Sequence, residues 1–456
     1  MTMKRAAVAV LLLAVAVLAL MPVPEGVSPS VMRGATVALF AMGMWALGAL
    51  PEPVTAIAFF LLAVAVGVAK PAVIFSGFES QAWWLVFGGI IIGIAVQRTG
   101  LALRLSGAIF GRLEGSYTGA LAAVATATVA LAFLMPSTMG RIVLLMPIAL
   151  AFADRLGFAP GRPGRTAMAL VVCAVSYMPA TTILPANVPN NVLVGAAGTL
   201  FGIQFNYGAY LLLHFPILGL LKTVMLVLLI ARLFPDQPTP AGARAPLPAM
   251  SAEERRLTVI LAGSIGLFVT DFLHHIPAAW ISLAGGLICL LPGVGMVTQK
   301  DFAERFGFGP LLYLAGILGL GAVVADSGLG QAIGRLALDI LQPEPGRDGF
   351  NFTVLVFVFS LIGGVTTMPG LPAVLTPLSP DMASATGIAL TSVLMLQVIG
   401  FSNIILPYQS PPMMVGFQLG QVRLRDATRL CLWSSAVTYA VLVPLDFLWW
   451  RLLGYI

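Results

Sequence analysis

Long apolar runs follow one another from residue 6 to residue 453, almost free of charge inside and separated by short loops. A bilayer core of roughly 30 Å takes about 20 apolar residues of helix. In hydrocarbon every backbone amide must be satisfied by a helix or a closed barrel, and these runs lack the period-two alternation of barrel strands. Helices remain. Lys, Arg, Asp and Glu make up only 9% of the 456 residues, where a soluble domain carries about 25%, so a water-soluble globule is excluded. Dispersed Pro and Gly and just 3 Cys also exclude a disordered chain, a collagen and a disulfide scaffold. The fold class is an all-α polytopic membrane protein.

About eleven transmembrane helices are expected, near residues 6–21, 31–50, 53–69, 83–110, 166–200, 209–234, 257–276, 278–294, 308–341, 386–420 and 426–453. Two further stretches, 117–150 and 351–383, are too long for one simple span. Their centres read Met135-Pro136-Ser137-Thr138-Met139-Gly140 and Thr366-Thr367-Met368-Pro369-Gly370. Pro stops a helix and Gly permits a tight turn, so each stretch reads as a re-entrant hairpin; the alternative is a single kinked helix. With the N-terminus inside and the C-terminus outside, most basic residues fall on the inner side, among them Arg98, Arg104, Arg162, Arg256 and Lys300. The outer side receives Arg33, Lys70, Arg335, Arg347 and Arg451. That asymmetry is the positive-inside bias.

The chain divides into 1–30, an N-terminal helix or signal-anchor, 31–234, a Pro-rich cytoplasmic linker at 235–256, and 257–456. The two long parts echo each other in order. Gly93–Leu101 resembles Gly321–Leu329, Met135-Pro136 resembles Met368-Pro369, and Ile183-Leu184-Pro185 with Pro189 resembles Ile405-Leu406-Pro407 with Pro411. Each part holds an odd number of spans, so the second copy is inserted upside down. Inverted repeats with interrupted helices are the mark of secondary transporters, whose substrate sits near mid-membrane at the breaks. A break exposes N-terminal N–H groups suited to an anion and frees carbonyls that hold a small cation.

The breaks expected here are the two hairpin tips, Asn187-Val188-Pro189-Asn190-Asn191 inside 166–200, and Gln409-Ser410-Pro411-Pro412 inside 386–420. Candidate substrate ligands are Ser137, Thr138, Arg141, Pro189, Asn190, Asn191, Thr366, Thr367, Ser410 and Pro411. The competing reading is that these polar residues only cap broken helices. Arg141, three residues past the first tip, is costly at depth, at least ~2.5 kcal/mol. Its fork suits a carboxylate or sulfate, unless it points into an aqueous vestibule.

At these residues the chain resembles the divalent anion:sodium symporter family, from about Val31 to Leu453. Ser137-Thr138-Met139 looks like the family's first tip, Thr367-Met368-Pro369 like the second, and Pro189-Asn190-Asn191 and Ser410-Pro411-Pro412 like its two breaks. Neither tip carries the family's Asn. The resemblance implies a homodimer in a bacterial inner membrane, with a fixed scaffold and a mobile part that moves like an elevator. It implies a di- or tricarboxylate or sulfate-like anion as cargo. Na+ is the implied coupling ion, with Ser137, Asn187, Thr366 and Gln409 as cation ligands, and no organic cofactor is implied. Exchange or proton coupling without sodium is the alternative, and an anion channel a remoter one. Neither an enzyme nor a nucleic-acid partner is expected: no HExxH or CxxC occurs, and Cys173, Cys289 and Cys431 read as packing residues. Lys222 is expected to snorkel to the interface, Trp83-Trp84 and Trp449-Trp450 to anchor there, and Asp326 and the histidines to lie near the outer interface; a proton relay of Asp326 with Arg335, Asp271 near His274 and His275, and Lys222 is the alternative.

Overall fold

The computed structural model describes residues 2–24, 27–110, 116–239, 249–330, 332, 343–365 and 368–456. Among them there are helices and no strands. The first part runs through α1 (Thr2–Leu20), α2 (Pro29–Leu47), α3 (Glu52–Val66), α4 (Pro71–Ile74), α5 (Gln81–Thr99) and α6 (Leu101–Phe110). It continues with α7 (Tyr117–Leu134), α8 (Thr138–Arg155), α9 (Pro163–Tyr177) and α10 (Val188–Phe201), then α11 (Tyr207–His214), joined by a π turn (Phe215–Leu221) to α12 (Lys222–Leu233). The second part holds α13 (Ala252–Val269), α14 (Asp271–His274), α15 (Ala278–Leu290), α16 (Gln299–Arg305), α17 (Gly309–Asp326) and α18 (Asp348–Val365). After it come α19 (Gly370–Leu375), α20 (Ser379–Thr386), α21 (Leu390–Ser402), α22 (Pro411–Leu419) and α23 (Leu424–Val437), which a second π turn (Thr438–Leu442) joins to α24 (Val443–Leu452).

Sequence chemistry sets many of these boundaries. Ser28 starts α2 by accepting from Val31 N, and Gly48 ends it at φ 53°, a left-handed conformation that costs glycine nothing. Ser251 and Glu254 form a capping box on α13. The run read as one span at 83–110 is divided at Gly100, and the echoed run divides at Gly328; both glycines have φ +78°.

Among the described residues five unbroken rods are long and apolar enough to cross a membrane alone: Gln81–Thr99, Tyr117–Leu134, Tyr207–Leu233, Gly309–Asp326 and Leu424–Leu452. The remaining apolar runs are shorter or interrupted, and Gly370–Thr386 bends by 118° into Leu390–Ser402 at Gly387. The stretch at 351–383 is thus a more fragmented series than two plain helices, because Pro369, Pro372, Pro377 and Pro380 each remove an amide donor.

The core is built on close helix contacts. α5 lies on α15 with almost no side chain between them: a Cβ on Gly88 would stand 2.4 Å from the Ser282 carbonyl oxygen, and one on Gly286 3.0 Å from that of Gly88. Ser282 Oγ donates to the Leu85 carbonyl at 2.9 Å. Small residues let backbones approach where no hydrophobic force drives helices together. Gly88→Val is therefore expected to separate the pair and cost about 1–3 kcal/mol, read as a lower unfolding temperature of the detergent-purified protein.

Candidate functional site

Both expected breaks are present, and both begin upstream of the residues that the sequence pointed to. The first opens after Tyr177, passes through two 3-10 turns, Pro179–Thr182 and Leu184–Ala186, and closes where α10 starts. Pro189, Asn190 and Asn191 therefore stand in the first turn of α10. The second opens after Ser402 and closes at Pro411, with Gln409 in a 3-10 turn and Ser410 at the N-cap of α22. The physical reason is the position that proline prefers: it starts helices, where its missing N–H is not needed, so the irregular backbone lies before it.

The first break is tied to the α7–α8 turn by Arg141, which is fully buried. Its guanidinium donates to the carbonyls of Met135 in that turn, of Ala186 at 3.1 Å and of Ser176 at 2.6 Å, and to Thr138 Oγ1 at 3.2 Å. Thr138 in turn donates to Asn187 Oδ1. Arg141 thus does not open on a vestibule; it collects carbonyls left free at the α7–α8 turn and at the two ends of the first break, while its own Nε is buried without a partner. Ser137, more exposed, caps α8 by accepting from Gly140 N at 3.0 Å.

The asparagines divide their groups in a telling way. Asn187, Asn190 and Asn191 donate from Nδ2 to the carbonyls of Tyr177, Ile183 and Asn187 at 3.0, 2.9 and 2.9 Å. The Oδ1 atoms of Asn190 and Asn191 are buried with no partner. In the second break Gln409 Oε1 accepts from Ile405 N and Leu406 N, both at 2.7 Å, while its Nε2 has no partner. Ser410 occupies an N-cap without capping, and its buried Oγ is also unpartnered. Buried polar groups in folded proteins are nearly always paired, so unpaired ones at both breaks stand out. Neither α10 nor α22 has a side-chain cap, though Pro189, Pro411 and Pro412 carry no N–H and leave few amides at these starts to face a negative charge.

The two breaks meet crosswise. α22 packs on α8 and α9, and α10 packs on α19. Gly416 makes the first contact possible, since a Cβ there would stand 2.5 Å from Cys173 Sγ. Tyr177 OH donates to the Phe401 carbonyl at 3.3 Å across the junction, and Met368 N donates to the Gln409 carbonyl at 3.4 Å. Thr366 and Thr367 lie outside the described residues.

A cavity of about 450 Å³ approaches the first break, lined among others by Ser80, Gln81, Leu184, Gly195, Gly198, Asn206 and Asp271. Gly195 and Gly198 follow Asn191 on one face of α10, by the spacing of a helix. Sequence reasoning missed this chamber because loops far apart in the chain build it. Asp271 there caps α11, accepting from the amides of Tyr207 and Gly208; it does not pair with a histidine, since His274 bonds the Leu267 carbonyl at 2.8 Å and Ile276 N at 3.0 Å.

Two other expectations are corrected. Lys222 does not snorkel: it is fully buried and donates to the Ser402 carbonyl at 2.8 Å. It thereby holds the free end of α21 as Arg141 holds that of α9, a cation on each helix C-terminus where the dipole favours one. Trp450 is fully buried among His214, Phe352 and Tyr455, because it follows Asp446 by one turn on the inward face of α24.

Over residues 3–456 the chain matches the family described as the sodium:sulfate symporter transmembrane region. A membrane protein of Cupriavidus necator is 24% identical over 479 residues, covering 99% of this chain and 92% of that one. The inner membrane protein YbhI of Escherichia coli is 21% identical with 97% of each chain covered. The sodium-dependent dicarboxylate transporter SdcS of Staphylococcus saprophyticus is 22% identical, with 92% and 86% covered. Among solved structures the YdaH transporter of Alcanivorax borkumensis superposes with a TM-score of 0.57 at 17% identity, over 94% of this chain and 99% of that one, a likeness of fold. With its unpaired groups at two buried helix breaks and a family match along almost its whole length, the chain belongs to the sodium:sulfate symporter family of integral membrane transporters.

Proposed function

We propose that the protein is a secondary active transporter of small anions, di- or tricarboxylates or sulfate-like, working by elevator-type alternating access. The observation that carries this reading is the pairing of uncapped helix starts with unpartnered buried polar groups at both breaks: Asn190 and Asn191 in one, Gln409 and Ser410 in the other. Of these, Gln409 Nε2 and Ser410 Oγ can donate to an oxyanion, while the Asn190 and Asn191 Oδ1 atoms can accept from its hydration water or face a cation. In this reading the helices that bear the breaks, with the α7–α8 and α18–α19 hairpins, travel against a scaffold that contains α5, α15 and α17. Ion pairs at the ends assigned to the inner side support the orientation: Arg98–Asp301 at 3.1 Å and Arg104–Glu254 at 2.9 Å. The Arg104 hydrogen bond holds the Glu254 carboxyl below its usual range.

Sodium coupling is favoured by the dicarboxylate relative and the family description. Of the four cation ligands expected from sequence, Asn187 and Gln409 already use their side-chain oxygens within the protein. The free oxygens are next to them, Oδ1 of Asn190 and Asn191, and these are the ligands we assign to a coupling Na+.

Thermal unfolding of the purified protein against sulfate, succinate and citrate, with and without Na+, tests both readings. At least one anion is expected to raise the midpoint and to enter proteoliposomes saturably. Stabilisation that requires Na+ supports symport, and stabilisation by anion alone supports exchange or proton coupling. No stabilisation and no uptake with any of the three overturns the anion reading.

A further inference from the structure

The last rods of the two parts bury a second polar cluster, which touches the second break only through Lys222. Lys222, His214, Asp446 and Trp450 are all fully buried, and α24 packs on α11 and on the π turn that leads into α12. Both carboxylate oxygens of Asp446 lack a hydrogen-bond partner; Trp450 Nε1, one turn along, lies beside it without hydrogen-bonding geometry. Lys222 is close enough for its charge to act on Asp446, yet its ammonium rests on Ser402. The elements packed against α24 bring Tyr207, Tyr210 and His214 from α11, Tyr439 from the adjoining π turn, and Asp348 only at the exposed start of α18. None of these gives Asp446 a bond. A buried carboxylate without a partner is too costly to keep ionised and takes up a proton instead.

We propose that Asp446 is a proton-binding site and that Lys222 is the arm by which its state reaches the second helix break. With Asp446 protonated, Lys222 stays on the Ser402 carbonyl and closes the end of α21. When the proton leaves to water, the new carboxylate draws the ammonium away and the Ser402 carbonyl is released. One O–H bond is made and broken per cycle, with the proton taken from water on one side and returned on the other. Its coupling role rests on the anion-transport reading; the proton site itself does not.

Two measurements on the full chain test this. Infrared spectra of the purified protein at neutral pH should contain a protonated-carboxyl stretch that shifts in D2O and disappears in Asp446→Asn. If that variant does not fold, Asp446→Glu should move the frequency of the band. A spectrum without the band, or one unchanged by either substitution, overturns the proposal. In proteoliposomes with equal Na+ on both sides an alkaline interior should speed succinate or sulfate uptake several-fold in the wild type, and Asp446→Asn should abolish the stimulation. Uptake that ignores the pH gradient overturns the coupling while leaving anion transport intact. If no anion is carried, the anion reading fails and the infrared band alone decides the proton site.

Discussion

Arg141→Leu is expected to lose both the fold's stability and all transport. The substitution strands the carbonyls of Met135, Ala186 and Ser176 in a buried site. Each buried acceptor left without its partner costs about 1–3 kcal/mol, so the three together cost several. Arg141→Lys should recover only part of this, because an ammonium is a point charge and cannot span three carbonyls as the planar fork does. Fluorescence-detected size exclusion after heating reads the order wild type, Lys variant, Leu variant. A stable Leu variant that only loses affinity for the anion would instead make Arg141 a ligand.

The double variant Asn190→Ala with Ser410→Ala is expected to separate stability from function. Ser410 Oγ bonds nothing in the protein, so its removal costs no internal hydrogen bond, and Asn190 gives up one bond, to Ile183, worth about 1 kcal/mol. Hydrogen bonds to a charged guest are worth about 1.5–3 kcal/mol each. The lost Ser410 bond alone predicts an uptake defect of roughly 10- to 100-fold, and the lost Asn190 oxygen a weaker dependence on Na+, with an unfolding temperature near that of the wild type. Equal losses in both readouts would reduce these residues to helix caps.

How much of this was legible in the sequence follows from where the information lies. Membrane class was fixed by the scarcity of charge, and the interruptions by Pro189 and Pro411, since a proline's effect on its own helix is local. The echo of Gly100 and Gly328 was equally visible, as a glycine needed where φ turns positive. The partners of Arg141 were not visible, because Ser176 and Ala186 are reached only after the chain has folded back. Asp446 went unremarked for the same reason: a lone carboxylate in an apolar run signals cost, but only packing shows whether a partner meets it. Lys222 was misjudged because a long stem beside lipid suggests an escape to water that the π turn and α21 close off.

Those π turns have a geometric consequence. A row of residues spaced by four drifts around an ordinary helix by about 40° at each step, so a long row spirals out toward lipid. His214, Leu218, Lys222, Leu226 and Ile230 form such a row and all stay inside, as do Thr438, Leu442, Asp446 and Trp450. The wider turn absorbs the slippage. Each rod can thereby keep one uninterrupted inward seam across its length, so a side chain near one membrane face stays in phase with another several turns away.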